Sequence, residues 1–296
     1  MSAGAPAAAA RVAAQAKINL SLRILAREAS GWHQLETLFL RVDVADLVTV
    51  RVGGTDRSLD VGTADLGPSD RNLAWRAATA FQQATGWPSG FAIRLEKVIP
   101  VGAGLGGGSA NAGAVLRALN ALSPHPLPRA GLLGIAGLLG ADVPFLTLEA
   151  PFALAWGRGE RLLELPPPPA REMLIVVPPF AIDTADAYGW FSPEGVADRI
   201  EPRAVRPAEL GSWAALDRLA GNDFESVVAE RHPVIHEITG ALRARGARIA
   251  QLTGSGSAII GLFDTPPDLD AIAAAVQGSV IATRTAARVV GVDLME

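Results

Sequence analysis

From Ala16 onward, Ile18, Leu20, Leu22 and Ile24 take turns with Asn19, Ser21 and Arg23, and this period of two predicts a half-buried strand. Ser30-Gly31 marks a turn after it, and the run Leu47 to Val52 predicts more strand. Leu73, Ala77, Ala80 and Ala84 recur at helical spacing. Phe91, Ile93 and Leu95 then alternate with Arg94 and Glu96 in a strand that runs into Pro100. Behind a glycine-rich loop, Ala112, Val115, Leu116, Leu119 and Leu122 trace one helix face, and another helix is predicted over 129–140.

Pro166 to Pro169 interrupts the pattern and supplies no backbone donors, which predicts a domain boundary between 1–165 and 166–296. Beyond it the periodicity predicts strands over 174–177 and 258–263, and helices over 234–245 and 269–276. Strands and helices mix without a regular βαβ rhythm, so the expected class is α+β rather than a doubly wound sheet.

Composition narrows the field. The chain has 296 residues, 49% of them hydrophobic and 19% charged, enough to bury a large core. A net charge of -4 argues against a basic surface for nucleic acid or anionic lipid. With no cysteine there is no disulfide framework, thiolate metal site or catalytic thiol. The first ten residues lack the basic and leucine-rich regions of a signal peptide, and the longest uncharged apolar stretch, 130–141, is too short to span a bilayer. A soluble cytoplasmic protein with a loose N-terminus is expected. Only Lys17 and Lys97 are lysines among 26 basic residues, which draws attention to both.

The sharpest feature lies at 100–110, between a predicted strand and a predicted helix. Pro100-Val101 enters it, Gly102-Ala103-Gly104-Leu105 follows, and Gly106-Gly107-Gly108-Ser109-Ala110 runs into the helix. Glycines let backbone approach a ligand, and a helix start offers free N–H groups to an anion, so phosphate is the natural guest. Gly102, Gly104 and Gly107 also fit GxGxxG, but a dinucleotide site wants an acidic residue some 20 positions on, and Leu127 to Ala130 offers none. Ser109 follows the last glycine with no lysine between, which excludes a Walker A loop. Its hydroxyl suits Mg²⁺, phosphate or a helix cap, and spacing leaves these open. His232 and His236 have the spacing of a metal pair but no third ligand, so surface or capping roles are expected for them.

The loop PVGAGLGGGSANAG resembles the signature of the GHMP kinases. Further segments carry the resemblance along nearly the whole chain: AKINLSLRIL from Ala16, GWHQLETLF from Gly31, Asn72-Leu73, GADVPFL from Gly140, Thr184 to Tyr188, Asn222 to Glu225 and LTGSGSAII from Leu252. Within the superfamily they are similar to the kinases whose acceptor is a cytidylated methylerythritol, a step of the non-mevalonate isoprenoid pathway. The resemblance implies a two-domain α+β fold, with an N-terminal nucleotide-binding domain and a C-terminal ferredoxin-like domain. It also implies ATP and Mg²⁺ as cofactors, and a monomer or homodimer.

Residue by residue, the resemblance makes Asp142 the catalytic base and Lys17 its partner. The phosphate loop would hold ATP with Ser109 near Mg²⁺, and Asn72 and Lys97 would lie on the adenosine side. Trp32, His33 and Tyr188 fall at cytidine-binding positions, and Asn19 and Thr184 at the methylerythritol end. Tyrosine is usual where Trp32 stands; indole keeps the stacking face and loses the phenol hydroxyl. Rival readings are a GHMP kinase for another alcohol, a non-catalytic nucleotide-binding protein on the same fold, and an oxidoreductase using the GxGxxG-like loop.

Overall fold

The computed structural model describes residues 8–191 and 207–295. Its spine is a ribbon of two long antiparallel strands, β1 (Ala8–Arg27) and β2 (His33–Val52), joined across the turn at Ser30-Gly31. Alternation at 18–24 lies in the C-terminal half of β1. The alanine-rich stretch before it extends the strand, because pairing with β2 on one side and with the C-terminal strand on the other overrides weak β-propensity. Ala9 and Ala10 are buried, so the N-terminus expected to be loose is ordered from residue 8, and residues 1–7 lie outside the described part.

Three register shifts interrupt the β1–β2 ladder, two of them flanking Lys17 and Asn19. Such bulges re-aim side chains. Around them both faces of β1 are buried: Ala16, Ile18 and Leu20 on one, Lys17, Asn19 and Ser21 on the other.

On β2 lie β4 (Phe91–Glu96) and β5 (Phe152–Gly157). The sheet is completed by β3 (Arg57–Asp60), β6 (Arg161–Glu164), the two-residue β8 (Gly221–Asn222) and β12 (Val292–Met295). Helices α1 (Leu73–Thr85), α2 (Gly107–Leu122), α3 (Arg129–Leu139) and the short α4 (Val143–Thr147) cover it. In α1 the buried face is Ala74, Ala77, Ala78 and Phe81, while Ala84 is exposed. Of the expected stripe, Ala77 is buried and Leu73 and Ala80 pack half-buried against the core, while Ala84 drops out, since small alanines are poor markers of a face and Phe81 sets it.

The second sheet holds β7 (Glu172–Val177), β9 (Ile249–Leu252), β10 (Ile259–Phe263) and β11 (Ser279–Arg284). All neighbours are antiparallel in the order β11-β7-β10-β9, which is the ferredoxin-like arrangement. Its helices are α5 (Thr184–Trp190), α6 (Trp213–Leu219), α7 (Phe224–Ala229), α8 (Val234–Ala244) and α9 (Leu269–Ala273). The last is shorter than the 269–276 expected. Mixed sheets and helices in two layers bear out the α+β class.

Two hydrophobic clusters result, and the second sheet feeds both, with Met173, Ile175, Ile260 and Leu262 in the first and Leu174, Val176, Ile259 and Phe263 in the second. Strand β1 serves both, with Ile18 and Leu20 in the first and Leu22 and Ile24 in the second. No helix among the described residues is long and apolar enough to cross a membrane.

Candidate active site

A cleft of about 1140 Å³ opens where the two clusters meet. Its glycine-loop wall is held by backbone contacts on both sides. Lys17 N–H donates to the Leu105 carbonyl at 3.0 Å, and Ala258 N–H to the Ala103 carbonyl at 3.2 Å. Gly104, at φ +78°, lies so close to the 253–256 turn that an added Cβ would sit 2.5 Å from the Thr253 carbonyl oxygen. The second glycine cluster is therefore packed against the first.

One carboxylate ties both stems of this loop. Asp46, 1% exposed, accepts from the N–H groups of Val98 (2.7 Å) and Ile99 (2.8 Å) before the loop, and from Asn111 Nδ2 (2.8 Å) in α2 behind it. Lys97 Nζ donates to the same carboxylate and, at 3.0 Å, to Asn111 Oδ1.

Gly106 is the N-cap of α2, at φ +70°, so Gly107, Gly108 and Ser109 form the first turn with their N–H groups unclaimed by the helix. The side-chain capping suggested for Ser109 does not occur: the cap is glycine, and Ser109 lines the cleft.

Against the loop stands an ion pair. Lys17 Nζ, on a side chain 4% exposed, lies 3.3 Å from Asp142 Oδ2 and donates at 2.7 Å to Asn19 Oδ1. Asn19 Nδ2 in turn donates to Thr37 Oγ1 (2.8 Å), and Thr37 Oγ1 to the Ser21 carbonyl (2.6 Å), which fixes the amide's orientation. Asp142 is the N-cap residue of α4 but spends no side-chain bond on the helix, leaving its carboxylate to Lys17 and the cleft.

The far end of the cleft is aromatic. His33 and Tyr188 stack with centroids 4.6 Å apart, and Phe224 meets Tyr188 edge-on at 4.8 Å. His33 Nε2 is buried without a hydrogen-bond partner. Burial, and secondly the charge of Arg27, hold the imidazole below its usual range, which favours the neutral ring. Burial and then Asp142 push the Tyr188 phenol up to about 12. Thr184 Oγ1 is 3.0 Å from Ser255 Oγ, joining α5 to the second glycine turn.

Sixteen of the sequence-predicted residues line one space: Lys17, Asn19, Trp32, His33, Pro100, Gly102 through Ser109, Asp142, Thr184 and Tyr188. Four do not. Val101 is 66% exposed, Ala110 is buried in α2, Asn72 accepts from Ala74 N–H as the N-cap of α1, and Lys97 is held by Asp46. His232 stacks on Phe180 at 4.3 Å, and among the described residues no cluster of three metal-ligating side chains forms.

Sequence reasoning missed Arg158, in the turn after β5, whose guanidinium lies 4.9 Å over the Trp32 ring. Its Nη2 donates to Glu28 at 2.5 Å, and that bond, with one from Ser30, holds the Glu28 carboxyl down to about 2. The flanking glycines Gly157 and Gly159 were the only local hint.

Comparison with known proteins decides the family. The chain matches the GHMP kinases N terminal domain over residues 72–149 and the GHMP kinases C terminal domain over 204–282. It is 41% identical over 253 residues to the 4-diphosphocytidyl-2-C-methyl-D-erythritol kinase of Pelotomaculum thermopropionicum, covering 84% of this chain and 87% of that one. The chain belongs to this family of GHMP kinases. A second member, from Heliobacterium modesticaldum, is 36% identical over 285 residues and covers 90% of each chain.

A crystal structure of a 4-(cytidine 5'-diphospho)-2C-methyl-D-erythritol kinase superposes with a TM-score of 0.77 at 36% identity, covering 93% of this chain and 98% of that one. A homoserine kinase from Cytophaga hutchinsonii, at 18% identity and a TM-score of 0.69, shares the fold and covers 97% of each chain. The protein is thus an ATP-dependent small-molecule kinase of isoprenoid biosynthesis.

Proposed function

We propose that this kinase moves the γ-phosphoryl group of ATP to the 2-hydroxyl of 4-diphosphocytidyl-2-C-methyl-D-erythritol, giving ADP and the 2-phosphate. The observation that carries the reading is the position of the Lys17–Asp142 pair, in one cleft with the glycine loop on one side and the His33–Tyr188 stack on the other. A phosphoryl transition state is loose, so the protein's work is to align groups and neutralise charge. Asp142 accepts the hydroxyl proton as the oxygen bonds to phosphorus. Lys17, 3.3 Å from that carboxylate, faces the charge growing beside it. Asn19 and Thr184 orient the methylerythritol end.

The first-turn N–H groups of α2 suit phosphate oxygens, and Ser109 beside them suits a divalent cation. When bound, Mg²⁺ supplies charge neutralisation on the phosphate oxygens. On the nucleoside side, Asn72 caps the helix that brings Leu73 into the cleft, and Lys97 shapes the wall from beneath. At the other end, His33 with its unpartnered Nε2 suits the polar edge of cytosine, and the faces of Trp32 and Tyr188 suit its ring.

We place the domain division at 165/166, in the proline run between the two sheets. We also take the enzyme to act in the cytoplasm as a monomer or homodimer.

ADP release coupled to a reporter, with Mg-ATP and 4-diphosphocytidyl-2-C-methyl-D-erythritol beside mevalonate, homoserine and galactose, tests the reading. Turnover is expected with the cytidylated acceptor alone. Silence with it and activity on another alcohol would keep Asp142 in its role and remove His33 and Trp32 from theirs.

A further inference from the structure

We infer that Arg41 is a positioning residue for phosphoryl transfer: it holds the far end of the short helix that carries Asp142, and so sets how that carboxylate meets Lys17. The inference rests on the proposed role of Asp142.

Arg41 on β2 is the direct cross-strand partner of Lys17 on β1. The two cations reach opposite ends of α4. Lys17 pairs with Asp142 at its N-terminus, and Arg41 Nη2 donates to the carbonyls of Phe145 (3.1 Å) and Leu148 (2.9 Å) at its C-terminus. A five-residue helix has little stability of its own, and a cation on its last carbonyls satisfies groups that have no partner in the helix.

The side chains between the two cations are stacked. Arg41 lies 5.3 Å from the Phe145 ring, Phe145 stacks on Phe39 at 5.0 Å, and Lys17 lies 5.4 Å from the Phe39 ring. A shift of Arg41 therefore has a packed route to the ion pair.

Arg41 is 1% exposed, forms no ion pair among the described residues, and leaves Nε without a partner. The nearby charged groups are Arg117 from α2, which opposes it, and Glu149, which acts on Arg117. A buried cation on such terms costs stability compared with an apolar residue of like volume. What it gains here is its hold on the two carbonyls at the end of α4.

The test compares Arg41→Met, Arg41→Lys and Asp142→Asn, with folding checked by circular dichroism, and measures kcat and both KM values. Arg41→Met is expected to lose about 10- to 100-fold in kcat, the size of effect a displaced catalytic group gives, with both KM values nearly unchanged. Arg41→Lys is expected to recover part of that loss.

A folded Arg41→Met with full kcat, or with a loss that falls on KM as much as on kcat or that lysine does not rescue, overturns the inference. Should the methionine variant not fold, the lysine variant decides: a lowered kcat with both KM values unchanged supports the role, and an unchanged kcat overturns it. Turnover surviving in Asp142→Asn would remove the base itself, an outcome separate from a silent Arg41.

Discussion

Asp142→Asn is expected to lower kcat by roughly 10²- to 10⁴-fold, the usual worth of a positioned general base, while ATP affinity stays nearly intact. Initial-rate kinetics with ATP titration check it, and turnover within about tenfold of wild type, ~1.4 kcal/mol of barrier, would reject the assignment. Trp32→Ala should act on the acceptor instead, weakening its binding by about 1–3 kcal/mol in calorimetric titration, as loss of one stacking face does. An unchanged affinity would place that ring outside the base pocket. Single residues were legible where a motif surrounded them: Lys17, the glycines and Asp142 sit in recognisable strings and meet in one cleft. Arg158, Arg41 and Asp46 were not, because their partners lie 130, 104 and 107, and 51 to 65 positions away, and no local pattern announces a contact over that separation.

At the level of elements, the strand, the glycine loop and the helix behind it were readable from period and composition, and β4, the loop and α2 follow that order. The ends of β1 and the buried face of α1 were not, since alanine gives almost no signal and tertiary pairing decides. Within the loop, Gly106→Ala should raise the KM for ATP with the fold retained. Its φ of +70° suits glycine, and an added Cβ would lie 3.0 Å from both Cγ and Cε of Lys17, so the loop and the lysine must move apart. Steady-state kinetics beside thermal melting separate the outcomes, and an unchanged KM would mean that the loop's first helical turn does not set nucleotide affinity.

For the molecule as a whole, α+β class could be read from mixed elements, and the proline run falls between the two sheets. What no window of sequence shows is that the chain returns after the second sheet, laying β12 beside β1. Nor does it show that β1 contributes to both cores, which brings residues from 17 to 256 into one cleft.

The β1–β2 ribbon has a consequence for the acceptor. Phe39 lies opposite Asn19, near the ion pair, and His33 stands at the ribbon's tip, six residues further along β2 or roughly 20 Å at ordinary strand rise. Strand geometry is stiff, so on the proposed reading the ribbon works as a ruler: it sets the distance between a base held at His33 and a hydroxyl presented to Asp142. An analogue with a single phosphate between cytidine and methylerythritol should bind and compete, yet receive no phosphoryl group, because its hydroxyl stops short of Asp142. Turnover of that analogue at a comparable rate would show that the cleft grips chemistry without gauging length.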